Sequence, residues 1–536
     1  MNKPVTFLFC IVLISTLSGV AIGEIKHMRL SFMGPTDSTI TATWSADSDG
    51  ESLVRYGLAP GSYTESVTST SFKADADAFG YIHSATLTGL APDTRYYYIA
   101  GNQTEGFTDE QQFTTGPTPH AECGSFTFAY LGDNRPDPTF GGGQNWDKIL
   151  NQAAAHHAAF FLNGGDLVTE GDNIAGWMNY MFWTSDVARN VPVMPVIGNH
   201  DTGPGEGDTA NYNQLFTLPR STGEFGSGTE DYYFFTFGNA IFVGLSTETF
   251  KEGDVPFGNQ AAWLDQVLTE NPRKWKFVSY HKPSYTHKAL FDISHEPNEE
   301  GQNAALIPII DKHHVDIVFT SHNHWYERFN PTACDNAGTP GSNKACPVGD
   351  DNFADGTVFI VSGGAGAFTI PALLCGSETG RIRCSGDHHY ITVAIKNETL
   401  VLETWTAFPG PNNMFDSFTI TKDKADCPTL EHPDAGTDTG EDSGTASDGD
   451  TDTDTDTDTD TDTDLDTDTD ADTDTDSDTD TDNDADADTD ADTSTGVNSD
   501  TDASVDNSSS SCSCRTVGAS SFLRQSWNLR LYLFGL

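Results

Sequence analysis

Two rhythms of apolar and polar positions divide the chain. Through residues 24–116, β-forming side chains alternate with polar ones, as in Ser38-Thr39-Ile40-Thr41-Ala42-Thr43-Trp44, Ser52-Leu53-Val54-Arg55-Tyr56-Gly57 and Arg95-Tyr96-Tyr97-Tyr98-Ile99. A period of two turns one face of a strand inward and the other to water. Leu90-Ala91-Pro92-Asp93-Thr94 is a turn signal ahead of the third of these runs. Short, regularly spaced strands with Trp and Tyr at inward positions predict a β-sandwich. Residues 123–427 follow a different pattern. Unbroken apolar runs at Phe126–Leu131, Phe160–Asn163, Val193–Ile197, Lys276–Tyr280 and Val315–Phe319 read as buried strands. Between them Trp146–Ala159, Ala261–Leu268 and Ile307–Lys312 have helical spacing. Strands alternating with helices predict an α/β domain, in which polar residues at strand ends form the ligand site. The expected fold class is therefore α+β and multidomain, a β-sandwich followed by an α/β sandwich.

The two ends carry no such rhythm. Lys3, the apolar stretch Phe7–Val20 and the small residues Ala21 and Gly23 read as a signal peptide cleaved after residue 23, which predicts a secreted or cell-surface protein. Cys10 lacks the small residues before it that a lipoprotein signal needs. Residues 434–511 are Thr-Asp repeats with Ser, Gly and Ala; they cannot bury a core and are expected to be disordered and extended by self-repulsion. In the last segment, 512–536, Cys512-Ser513-Cys514-Arg515 resembles the start of MYXO-CTERM surface-sorting tags. Arg524 and Arg530 interrupt the apolar stretch such a tag requires, and two readings stand: a degenerate tag for cell-surface attachment, or a plain tail with two incidental cysteines.

Charge sharpens this division. The 536 residues hold 80 Asp and Glu against 27 Lys and Arg, a formal net charge of −53. Of the acids, 31 fall between Glu431 and Ser510, which contain no Lys or Arg. The tail is extreme and the folded part only moderately acidic; neither offers the basic surface a nucleic-acid partner needs. Oligomeric state is not legible. Export permits disulfides. Cys334/Cys346 and Cys375/Cys384 are close pairs in Gly-rich loops, and Cys123 and Cys427 then remain at the two ends of the central region, one of 15 connectivities open to six cysteines.

The chemistry lies in five short motifs of the α/β domain: Gly132-Asp133-Asn134-Arg135, Gly165-Asp166-Leu167-Val168, Gly198-Asn199-His200-Asp201, Ser279-Tyr280-His281 and Ser321-His322-Asn323-His324. Each follows an apolar run, so all five can converge on one sheet edge. Carboxylate and amide oxygens mixed with imidazoles suit Zn, Mn or Fe better than Ca²⁺. A carboxylate can bridge two cations, and two cations about 4 Å apart can clamp the attacking and leaving oxygens of an in-line displacement while acidifying bound water.

This series resembles the calcineurin-like metallophosphoesterases, and with the N-terminal strands it most resembles the purple acid phosphatases. Thr41-Ala42-Thr43-Trp44, Val54-Arg55-Tyr56-Gly57, His83-Ser84-Ala85-Thr86-Leu87 and Phe113-Thr114-Thr115 carry the second likeness. The resemblance covers residues 24–421 or so and implies a fibronectin III-like sandwich before the catalytic domain. It implies two divalent or trivalent transition metals, with Asp166 bridging, Asp133 and His324 on the first, and Asn199, His281 and His322 on the second. It further implies His200 as the acid that protonates the leaving alcohol, and a metal-bound hydroxide as nucleophile on a small phosphorylated substrate.

Two positions depart from the pattern. The superfamily's D-x-H has Arg135 in place of its His, and the tyrosine found three residues after the bridging Asp in purple acid phosphatases is Thr169. The first metal thus lacks one protein ligand, and the purple colour is expected to be absent. Arg135 either contacts substrate phosphate or pairs with a loop acid. Asp201 either orients His200 or caps the following turn. His156 and His157 read as helical surface or packing residues, His388 and His389 as lying before a strand with no role, and His287 and His295 as substrate-side candidates. Ser362-Gly363-Gly364-Ala365-Gly366 lacks the Lys of a P-loop and reads as a tight turn at the site rim. The implied function is exported phosphomonoester hydrolysis. Phosphodiester or nucleotide cleavage at the same metals, and a non-catalytic surface binding protein with a degenerate site, are the alternatives.

Overall fold

The computed structural model describes residues 25–136, 142–248, 257–289, 294–407, 412–425 and 427. The expected signal peptide, Thr-Asp tract and terminal segment lie outside them.

The period-two pattern of the N-terminal region becomes two facing antiparallel sheets. One has the order β1 (Lys26–Ser31), β2 (Thr39–Ala46), β6 (Tyr81–Thr88), β5 (Thr70–Lys73). The other runs β4 (Glu65–Thr68), β3 (Leu53–Gly57), β7 (Arg95–Asn102), β8 (Gly106–Phe107), with β9 (Gln111–Thr114) also on β7. Trp44, Val54, Ile82, Tyr98 and Phe113 fill the space between them. This sandwich is joined to the next domain by specific polar contacts. Arg29 donates to the Leu215 carbonyl, Tyr98 Oη to the Arg189 carbonyl at 2.6 Å, and Thr36 to the Thr236 carbonyl at 2.8 Å.

The apolar runs of residues 123–427 become the central strands of two mixed sheets. The first sheet has the order β12 (Val193–Pro195), β11 (Phe161–Asn163), β10 (Ser125–Leu131), β20 (His389–Lys396), β21 (Thr399–Thr406), β22 (Met414–Thr421), with β10, β11 and β12 parallel. The second runs β13 (Tyr233–Phe237), β14 (Ala240–Gly244), β15 (Trp275–Ser279), β16 (Ile317–Thr320), β18 (Val358–Ser362), β17 (Tyr326–Phe329), β19 (Arg381–Ser385), with β14, β15, β16 and β18 parallel. Helices α1 (Gly142–Ala154) and α2 (Ile174–Ala188) pair with each other, as do α4 (Gly258–Glu270) and α5 (Asn303–Lys312); α3 (Asn211–Leu215) is a short turn of helix.

Aromatic rings hold the two sheets together. Phe128 of the first meets Phe242 and Phe277 of the second at centroid distances of 5.0 and 5.1 Å, and Tyr130 stacks on Phe319 at 4.7 Å. Such pairs add to the area they bury. Two expectations are corrected. The five motifs do not share one sheet edge: three follow strands of the first sheet and two follow strands of the second. The first helix also stops early, at Ala154, because His157 adopts a left-handed backbone (φ 56°) and turns the chain into β11. His156 therefore lies beyond the helix, its Nε2 3.0 Å from the Tyr390 hydroxyl.

Three disulfides, Cys123–Cys427, Cys334–Cys346 and Cys375–Cys384, join the cysteines as paired above. The first spans 304 residues and ties the entry of the domain to its exit. Closing so long a loop restricts the unfolded chain most. Replacing both Cys123 and Cys427 by Ser is expected to lower the unfolding free energy by about 2–5 kcal/mol, read as a lower urea midpoint with unchanged circular dichroism of the native state.

Candidate metal centre

Asp133 follows β10, Asp166 follows β11 and Asn199 follows β12, so neighbouring parallel strands deliver them side by side. His281 follows β15; His322 and His324 follow β16. The loops are bent sharply to bring side chains inward. Asp133, Asp166 and His322 all have left-handed backbone angles, φ 57°, 56° and 68°. Conformations of this kind cost roughly 1–3 kcal/mol each and collect at functional sites. Gly198 shows how close the loops come: a Cβ there would lie 2.3 Å from Asp166 Oδ1.

The donor atoms converge as the motif series implied. His281 Nε2 lies 3.2 Å from Asp166 Oδ1, 3.1 Å from Asn199 Oδ1 and 3.2 Å from His322 Nδ1. His324 Nε2 lies 3.3 Å from Asp133 Oδ1. Two triads, Asp166–His281–His322 and Asp133–Asp166–His324, keep their ligand atoms within 4.8 Å of one another. Each imidazole is turned by an acceptor on its far nitrogen: the Gly164 carbonyl for His281 (2.8 Å), the Phe368 carbonyl for His324 (2.8 Å) and Glu299 for His322 (3.1 Å). An acceptor on one ring nitrogen fixes the tautomer and leaves the other as a lone-pair donor.

The electrostatics at this point favour positive charge. Asp133 and Asp166 are fully buried, and Asp133 Oδ1 has no hydrogen-bond partner. Burial would raise the Asp166 carboxyl, but His281 and Arg135 outweigh it and hold it well below the usual range. Burial alone would lower His281; Asp166 overrides this and raises it to about 9, so the ring draws a second proton onto Nε2, which a metal ion bound at that nitrogen would displace. Burial keeps His322 neutral, its pKa lowered to about 3, the state a ligand requires. Donor set, tautomers and orphaned oxygen all fit metal ions. Asp166, Asn199, His281 and His322 offer one complete position. Asp133, Asp166 and His324 offer a second, into which Arg135 also reaches.

The remaining candidates separate cleanly. The His200 backbone N–H donates to Asp166 Oδ1 (3.0 Å), and its Nδ1 meets the Thr169 carbonyl at 2.6 Å, which leaves Nε2 as the outward nitrogen. Asp201 does not touch the His200 ring. Its carboxylate accepts from the backbone of Leu167, Val168 and Gly198 at 2.7, 3.1 and 2.8 Å, clamping the Asp166 loop to the Asn199 loop. Arg135 pairs with Asp166 itself. His295 lies over His322 with ring centroids 3.6 Å apart, whereas His287 is drawn away to Glu378 at 3.1 Å. The Gly-rich turn packs on the Asp133 loop, the Ala365 and Ala367 N–H groups donating to the Gly132 and Asp133 carbonyls. Glu299 is the residue that sequence reasoning missed; it sits in a polar loop with no motif of its own, and only the fold brings it to His322.

Such strand-end loops around a shared buried carboxylate define a metallophosphoesterase, a phosphoric ester hydrolase. Family models agree on both halves: the purple acid phosphatase N-terminal domain matches residues 25–115, and the calcineurin-like phosphoesterase domain matches residues 126–326. Purple acid phosphatase 21 of Arabidopsis thaliana is 29% identical over 317 residues, covering 57% of this chain and 67% of its own length. Purple acid phosphatase 23 of the same plant is 27% identical over 281 residues, 47% of this chain and 58% of its own length. Among solved structures, purple acid phosphatase PPD1 from yellow lupin (Lupinus luteus) seeds superposes with a TM-score of 0.62 at 22% identity, covering 75% of each chain. The chain thus carries, in order, a purple acid phosphatase N-terminal domain and a calcineurin-like phosphoesterase domain, and is similar to the purple acid phosphatases across both.

His389 is the first residue of β20 and not, as expected, outside it. Its Nδ1 lies 2.8 Å from the Asp387 carbonyl and its Nε2 3.0 Å from Ser362 Oγ, and the ring is fully buried. Burial lowers its pKa to about 4. Because the free imidazole titrates near 6.5, the unfolded chain takes up the proton first as pH falls. Stability present above pH ~6.5 is therefore lost down to pH ~4, by about 3 kcal/mol at most. In urea titrations of chelator-treated protein at several pH values, His389→Gln is expected to remove that share of the slope.

Proposed function

We propose that the chain is an exported, metal-dependent phosphomonoesterase. The observation that carries this reading is the set of buried donors around Asp166, with one histidine, His200, beside the cluster and outside it. Asp166 would bridge two transition metals of the Fe, Zn or Mn kind; Asp133 and His324 would complete one position and Asn199, His281 and His322 the other. Bound there, the metals acidify water and neutralise charge on the phosphoryl group. The three disulfides support an oxidising compartment, and we read the N-terminal sandwich as fibronectin III-like.

The protein's own groups do the rest. His200 carries Nδ1–H on the Thr169 carbonyl, which turns its Nε2 away from that anchor. From there a protonated ring gives its proton to the departing alkoxide, the step that limits a poor leaving group. Asp201 holds the His200 loop in place through the backbone. Arg135 pairs with Asp166; displaced from that carboxylate, its planar fork would suit a phosphate oxygen.

His200→Ala is expected to lower kcat by roughly 10²–10⁴ on an alkyl phosphate and far less on p-nitrophenyl phosphate, with metal content kept. Equal activity on the alkyl ester would take His200 out of the reaction. Asp166→Asn is expected to abolish tight metal binding in isothermal titration; a fully loaded variant counts against the bridging role.

A further inference from the structure

We propose that Arg135 is a built-in competitor for the first metal position: its guanidinium and a metal ion exclude one another at Asp133 and Asp166. This rests on the reading of Asp133, Asp166 and His324 as ligands. The two oxygens of Asp166 are divided between the two positions. Oδ1 faces His281 Nε2 at 3.2 Å, while Oδ2 is taken by Arg135 Nη2, which also lies 3.9 Å from Asp133 Oδ1. The guanidinium thus stands between the two carboxylates that a first ion would join.

It is mostly buried there. The Arg135 side chain is 14% exposed, its backbone N–H donates to the Asp166 carbonyl at 3.3 Å, and a φ of 27° bends the chain to aim it. A guanidinium cannot shed its proton, so an incoming cation meets a fixed like charge inside a low-dielectric pocket. The ion must displace it. The guanidinium is an incomplete substitute, because Asp133 Oδ1 still lacks a hydrogen-bond donor; an ion that displaces it gains a ligand the arginine leaves unused.

The test is equilibrium dialysis and isothermal titration of the chelator-treated full chain with Mn²⁺ or Zn²⁺ alone. One ion is expected to bind tightly and the second at least about tenfold more weakly. Arg135→Gln and Arg135→Ala are expected to tighten the second ion by a similar factor and leave the first unchanged. Two equal sites in the wild type, or a second affinity that neither variant moves, overturns the competition. A chain that binds no ion in any of the three forms sinks the metal reading and this inference with it.

Discussion

Asp133 and Asp166 stand at the ends of adjacent parallel strands, and neither has exposed surface. Two carboxylates cannot stay ionised in such a place without positive charge close by. Most of the site follows from that constraint. His281 is drawn into the cluster and holds its proton, Arg135 is bent in from the loop after β10, and the His200 and His322 backbone N–H groups point at the carboxylates. The same negative charge that makes the centre attractive to metal ions makes it attractive to every cation the chain itself can supply.

The neutral side of the site is built with equal care. The histidines that must donate lone pairs have their far nitrogens turned by fixed acceptors, two of them backbone carbonyls. Backbone acceptors do not titrate and do not swing, so the ligand geometry is held by the sheets and not by flexible side chains. His322 is the exception, relying on the partly exposed Glu299.

Much of this was legible in the sequence because it depends on local pattern. Apolar runs marked the strands, the motifs at their ends marked the residues whose donor atoms converge, and the cysteine spacings were consistent with the bridges seen. What was hidden depends on long-range packing. No periodicity separates the strands of one sheet from those of a second facing it, so a single edge was expected where there are two. Glu299, 23 residues before His322, meets it only through the fold. Whether Asp201 served His200 or the backbone, and which acid Arg135 would find, turn on side-chain directions that spacing does not encode. The helix expected to reach Ala159 ends at Ala154: Ala155, Ala158 and Ala159 continue its Ala-rich composition, but the left-handed turn at His157 cuts it off.

The aromatic layer has a consequence beyond cohesion. Half of the donors ride on one sheet and half on the other, and the rings of Phe128, Phe242, Phe277 and Phe319 are what sets the spacing between them. That layer therefore acts as a gauge block. Trimming a ring far from any ligand would let the sheets settle closer or slide, and the error would surface at the strand tips as a changed separation between cations. The hydrophobic core is in this sense a calibrated part of the reaction centre.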